Sequence, residues 1–213
     1  MTPEKASSGR RHIPFDHEEP LPGEEAPPFP QIQVARGQPL WVFGYGSLMW
    51  DPGFPFTRQV NARLWGFHRG FCVWSHRYRG TPEQPGLVLG LMSGGSCTGR
   101  AFRVRRGDEA AVIDYLYRRE MVTGVYRPGF HRAEIDGGER IPALAFVADP
   151  HHKQYAGYLS ERQVVDTIST CCGQRGPNAV YLANTVQHLD ALGIADGPLH
   201  KLLKQVKKRC PDI

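Results

Sequence analysis

Glu120 is the side chain in this sequence best placed for proton chemistry. Ile113 precedes it by seven residues and Leu116 by four, so on a helix all three lie on one side, Ile113 and Glu120 within about 20° of each other. A carboxylate at the end of an apolar stripe loses hydration, which raises its pKa toward neutrality. Such a group can both take up and return a proton near pH 7. An ion pair with Arg118 or Arg119 at a helix end is the structural alternative. Gly124 then breaks the helix, and Tyr126 brings a hydroxyl that either lines a pocket with Glu120 or packs under the hairpin formed by the next two strands.

The second candidate is a turn inside Trp41–Trp50, WVFGYGSLMW. The apolar run Leu40, Trp41, Val42 and Phe43 stops at Gly44-Tyr45-Gly46-Ser47 and resumes at Leu48, Met49 and Trp50. Two glycines about a tyrosine let the backbone turn tightly and bring N–H groups close to a small polar ligand. Ser47 adds a hydroxyl. The turn is not a phosphate cradle of the dinucleotide or P-loop kind, because Met49 stands where a third glycine belongs and no GK[ST] follows.

Other chemistry-bearing residues are weaker candidates. His151-His152 is a loop dipeptide, and His68, His76 and His188 have no ligand set at metal spacing, so no metal site is expected. Cys171-Cys172 reads as a buried structural pair within a helix. Arg69, Arg77 and Arg79 follow the turn, and one of them meeting a substrate carboxylate through a two-pronged contact is an expectation.

These residues need a scaffold. Val60–Trp74 reads as strands with a kink or bulge, Leu87–Met92 as a short apolar strand bounded by Ser-Gly-Gly, and Cys97–Arg105 as a half-buried strand. Asp108–Met121 reads as a helix with Asp108 as N-cap and Val112, Ile113 and Leu116 on its apolar stripe. Phe130–Ile135 and Ile141–Val147 form a hairpin about Asp136-Gly137-Gly138. Three helices follow: one opened by a Ser160/Gln163 capping box and ended by Gly173, one from Asn178 to Gly193, and one from Asp196. Strands first, one helix, a hairpin, then helices is an α+β pattern: a small mixed sheet or barrel with helices around it.

Composition sets the outer bounds. The 213 residues suit a single domain, and 40% apolar with 22% charged residues suits a globular one. A net charge of +5 gives no specific pointer to nucleic acid, and no apolar run approaches the roughly 20 residues of a membrane helix. The N-terminus has no apolar h-region and carries acids, which argues against a secretory or transit peptide. Five cysteines without CxxC spacing suit a reducing cytoplasm. Residues 1–39 are proline-rich and aperiodic, which reads as a flexible or wrapping arm, with the domain proper at 40–213.

WVFGYGSLMW and RREMVTGVY, in this order and spacing, resemble the ChaC-type glutathione-specific γ-glutamylcyclotransferases. PGLVLGLMSGGSCTGRAFRV and LAFVADPHHKQY are similar to that family too, and the resemblance covers roughly residues 40–208. YGSL alone belongs to the wider superfamily; joined to the RE-x3-G-x-Y pattern at Arg119–Tyr126 it is far more specific. Many relatives carry two glycines where this chain has Gly124-Val125. The resemblance implies a small mixed, partly closed β-barrel flanked by helices. It implies a cofactor-free conversion of glutathione to 5-oxoproline and Cys-Gly. It puts the catalytic glutamate on Glu120 and the substrate-binding loop on Val42, Phe43, Gly44, Tyr45, Gly46, Ser47 and Leu48, with Tyr126 nearby. Two rival readings keep the fold: a cyclotransferase for other γ-glutamyl amino acids or γ-glutamylamines, and a non-catalytic binding module.

Overall fold

A computed structural model describes residues 32–35 and 37–213. Of the arm expected over residues 1–39, residues 1–31 and 36 lie outside the described residues; Ile32 and Val34 lean on the apolar cluster beneath the first helix.

Five strands close into a barrel in the order β1 (Trp41–Gly44), β3 (Gly86–Val104), β2 (Phe56–Ser75), β4 (Tyr126–Ile135) and β5 (Arg140–Ala148). All pairings are antiparallel except β1 with β5, which run parallel through Trp41–Ala143 and Val42–Leu144 and close the barrel. The barrel is therefore fully closed where a partly closed one was expected. Closure leaves β1 no free edge, so the turn after it hangs from a strand bonded on both sides.

Side-chain alternation explains why β1 and β5 read as unbroken apolar runs. Trp41 and Phe43, with Ala143 and Ala145, enter the barrel core; Val42, with Leu144 and Phe146, packs outward under helix α1 (Glu109–Glu120). Alternate residues of a strand face opposite sides, and here both sides are covered. A five-stranded barrel is narrow, and fully buried alanines at 101, 133, 143 and 145 keep it open enough for Phe43 and Leu64. Helices α2 (Glu161–Thr170), α3 (Asn178–Ala191) and α4 (Gly197–Lys207) pack on one another and extend the same core through Ile168, Leu182, Leu189 and Val206.

Three expectations need correction. Leu87–Met92 and Cys97–Arg105 are one strand, because Gly94 and Gly95 form a bulge opposite Trp65–Phe67 instead of ending the strand. Asp108 flanks α1, but its carboxylate accepts from Arg105 Nε at 2.6 Å and caps nothing. Helix α2 stops at Thr170, so Cys171 is buried beyond its end and Cys172 is exposed in a short ladder of β6 (Cys172–Gly173) with β7 (Gly176–Pro177). Asn178 opens α3, as expected. Its side chain bonds both backbone groups of Leu87, at 2.7 and 2.8 Å, docking α3 on β3.

One glycine in β3 fixes the position of the turn after β1. A Cβ on Gly99 would collide with the Gly44 carbonyl oxygen and lie 2.8 Å from Phe43 Cζ. Backbone cannot move aside as a flexible side-chain tip can, so Gly99→Ala is expected to cost about 1–3 kcal/mol. Thermal unfolding should register this as a loss of several degrees; an unchanged melting temperature would mean that β1 shifts freely.

Candidate active site

The chain leaves β1 at Gly44 and enters a single 3-10 turn, Ser47–Met49. Gly44 packs against Leu48, whose Cβ lies 3.0 Å from where a Gly44 Cβ would be, so the chain doubles back tightly. The first bond closed within the turn is Met49 N–H to Gly46 O, at 2.9 Å. The N–H groups of Gly46, Ser47 and Leu48 precede it and have no acceptor inside the turn.

The turn lines a cavity of about 80 Å3 with Tyr45, Gly46, Ser47, Leu48, Leu89, Glu120, Tyr126, Phe146 and Tyr181. Thus Glu120, Tyr126 and residues 45–48, selected from sequence, come together. Val42 and Phe43 do not line this space: both are fully buried in the barrel wall, and Gly44 sits behind the turn. Leu89, Phe146 and Tyr181 enter the site without having been singled out. Phe146 and Leu89 belong to strands whose registers bring them round the barrel, and Tyr181 comes from α3.

Glu120 occupies the last turn of α1, which ends with Met121 N–H bonded to Tyr117 O. Its side chain is 19% exposed, and burial raises its pKa above the ordinary carboxylate range, opposed by Arg119. Arg119 joins the two halves of the site. Its Nε lies 3.2 Å from Glu120 Oε1, and its Nη2 donates to Ser47 Oγ at 2.9 Å. Its Nη1 donates to Asp51 O at 2.8 Å and to the Tyr115 hydroxyl at 2.9 Å. The ion pair with Arg119 is thus formed, and one cation tempers a carboxylate that remains desolvated.

Two tyrosines complete the polar wall. Tyr126 donates to Leu89 O at 2.7 Å, which aims its ring along the cavity. Burial pushes the hydroxyls of Tyr126 and Tyr45 well above their usual pKa, with Glu120 adding to both, so they stay protonated. The turn is braced from below by Arg69, whose Nε donates to Tyr45 O at 2.6 Å. At its far end Trp50 stacks on His188 of α3, with centroids 4.3 Å apart.

Among the described residues, no group of three or more His, Cys, Asp or Glu side chains is arranged to hold a metal ion. No helix of the described residues is long and apolar enough to cross a membrane.

The arrangement offers a desolvated carboxylate, backbone N–H groups with no acceptor inside the turn and a small cavity, which suits proton transfer on one compact ligand group. The family model of ChaC-like proteins matches residues 40–209. An Escherichia coli K12 protein named glutathione-specific gamma-glutamylcyclotransferase is 39% identical over 170 residues, covering 80% of this chain and 74% of that one. The human glutathione-specific gamma-glutamylcyclotransferase 1 is 31% identical over 178 residues, covering 78% of each. A crystal structure of the yeast glutathione-specific cyclotransferase superposes with a TM-score of 0.71 at 22% identity, covering 80% of this chain and 96% of that one.

Proposed function

This chain belongs to the ChaC-like family, and from that premise we propose that it is a glutathione-specific γ-glutamylcyclotransferase with residues 40–213 as its catalytic domain. The observation that carries the reading is Glu120, desolvated and facing the Tyr45–Leu48 turn across one small cavity.

In the proposed reaction, the α-amino nitrogen of the γ-glutamyl group attacks its own γ-carbonyl carbon. One C–N bond forms, the amide bond to Cys-Gly breaks, and the products are 5-oxoproline and Cys-Gly. The nucleophile is tethered, so the enzyme's task is to hold the cyclising rotamer and move protons. The α-nitrogen sheds two protons between ammonium and lactam, and the departing nitrogen gains two between amide and ammonium. Glu120 is suited to carry them, because burial brings its pKa toward those of its partners. The N–H groups of Gly46, Ser47 and Leu48 are candidates to bind the glutamyl α-carboxylate or the tetrahedral oxyanion; each donor to the latter would be worth about 3 kcal/mol. Tyr45 and Tyr126 are proposed as substrate-binding walls. A cytoplasmic location fits the five free thiols.

The direct test is to incubate the purified protein with glutathione and quantify 5-oxoproline and Cys-Gly in equal amounts. Parallel reactions with γ-glutamyl-alanine and ε-(γ-glutamyl)lysine check the substrate class. A clear preference for that pair would replace glutathione as substrate; turnover of none of the three would leave a binding module.

Arg119 makes a second, pH-dependent test. Glu120 works ionised as base, so kcat/KM should rise with pH through its pKa, which burial puts above the usual carboxylate range. Arg119 opposes that rise, so Arg119→Gln is expected to move the acidic limb to still higher pH. An acidic limb that stays in place would uncouple the limb from Glu120.

A further inference from the structure

The cavity is far smaller than the roughly 300–1,000 Å3 pockets that enclose drug-sized ligands. On the proposed function, it takes the γ-glutamyl group, and Cys-Gly must lie across the rim. The rim is formed on one side by Tyr181, and the face of its ring carries the Arg79 guanidinium, 5.0 Å from the centroid.

Arg79 is held rigidly. Its Nη1 donates to Arg175 O at 2.7 Å and reaches Pro177 O at 3.5 Å, and its backbone N–H donates to Ser75 Oγ at 3.1 Å. The β6–β7 turn backs it closely: Gly173 is pressed against the backbone of Arg77 and Tyr78, leaving no room for a side chain. These contacts use one nitrogen of three. Arg79 Nε and Nη2 have no acceptor among the described residues, and neither is sealed off as a buried orphan.

The charge balance around it is unusual. The two other arginines at the site each face a carboxylate, Arg69 with Asp196 and Arg119 with Glu120. Arg79 is half-buried and pairs with no carboxylate among the described residues. Burial disfavours its charge, and Arg175 adds to that. A desolvated guanidinium normally has an anionic partner, and the free Nε/Nη2 edge is the geometry that grips a carboxylate with two parallel bonds. A role limited to clamping the β6–β7 turn would employ Nη1 and leave that edge without purpose.

We propose that Arg79 is the specificity residue for the Cys-Gly end, binding the glycine carboxylate of glutathione through Nε and Nη2. The assignment rests on glutathione being the substrate. That carboxylate lies two residues beyond the scissile carbonyl, at most about 7 Å away along an extended chain, a reach suited to a cation just outside the cavity wall.

The test compares glutathione with its glycyl monoethyl ester, which lacks only that charge, in the wild-type protein and in Arg79→Gln and Arg79→Lys. A charged two-pronged contact predicts a KM for the ester about 10- to 100-fold above that for glutathione, with similar kcat. Arg79→Gln should raise the KM for glutathione by the same factor and leave the ester unchanged, so the preference disappears. Unchanged ester turnover also demonstrates an intact fold. Arg79→Lys, with charge but no fork, should fall between. The assignment is overturned if the wild-type protein gives acid and ester the same KM, or if both variants lose the two substrates in parallel. In either case 5-oxoproline still forms in the wild-type protein; its failure to form from glutathione would instead remove the functional reading and this assignment with it.

Discussion

Glu120→Gln is expected to lower 5-oxoproline formation from glutathione by about 10²–10⁴-fold, the range lost when a positioned acid/base is removed. The substitution keeps size, and the amide oxygen can still accept from Arg119 Nε, so the bridge to Ser47 survives. What disappears is the proton carrier alone. Stability should move the other way. Burial raises the folded-state pKa of Glu120, so the carboxyl favours folding fully only below its unfolded pKa, and that contribution is lost as pH rises through the folded value. At pH 7 a neutral amide avoids this cost, so the melting temperature should hold or increase. A variant that is equally stable and equally active would remove Glu120 from the chemistry. A variant that loses activity only because it unfolds would make Glu120 a structural residue. Joint loss of turnover and gain in stability is the signature of a carboxylate retained for its reactivity.

The features proposed to do the chemistry were largely legible in the sequence because they are local. Glu120 follows from helical spacing, and the Tyr45–Leu48 turn from glycines at the end of an apolar run. The α+β order, the hairpin of β4 and β5, and the Ser160 capping box are likewise written in short windows. Tyr181, Leu89 and Phe146 were illegible for the opposite reason: nothing in their neighbourhoods differs from ordinary core. They become site residues only because the barrel registers and the Asn178–Leu87 bonds bring them round to the turn. Val42 and Phe43 illustrate the reverse error. A motif is continuous in sequence, but a strand alternates, so its members divide between core, α1 and cavity. The three arginines after the turn looked equivalent in sequence, and their environments separate them. Arg69 is buried beneath the turn, Arg77 donates to Gln174, and Arg79 lies over the ring of Tyr181, which lines the cavity.

Arg69→Met is expected to be the most destabilising substitution in the chain's polar interior, at about 3–5 kcal/mol. The guanidinium, on a residue only 6% exposed, bonds the Asp196 carboxylate, Tyr45 O at 2.6 Å and Thr98 O at 2.8 Å. It thereby joins the Tyr45–Leu48 turn, β3 and the start of α4, where Asp196 also accepts from Leu199 N–H at 3.1 Å. Methionine fills most of the volume but leaves the Asp196 carboxylate without its cationic partner and the Tyr45 and Thr98 carbonyls without the guanidinium donor. In a chain of this size that cost should lower the melting temperature by about 6–20 °C. Asp196→Asn should cost less, since asparagine remains a good N-cap and can still accept from Arg69. If the two groups act as a unit, the double variant will be more stable than the sum of the single losses, with a coupling of about 1–3 kcal/mol. Additive losses would mean that Arg69 is held by the carbonyls alone. The same variant reports on function at a temperature where it stays folded. Without Arg69 nothing fixes the Tyr45 carbonyl, so the N–H groups beyond it lose their aim, and KM for glutathione should rise even where the barrel survives. A normal KM in a folded Arg69→Met protein would mean that Arg119 and the Trp50–His188 stack suffice to hold the turn.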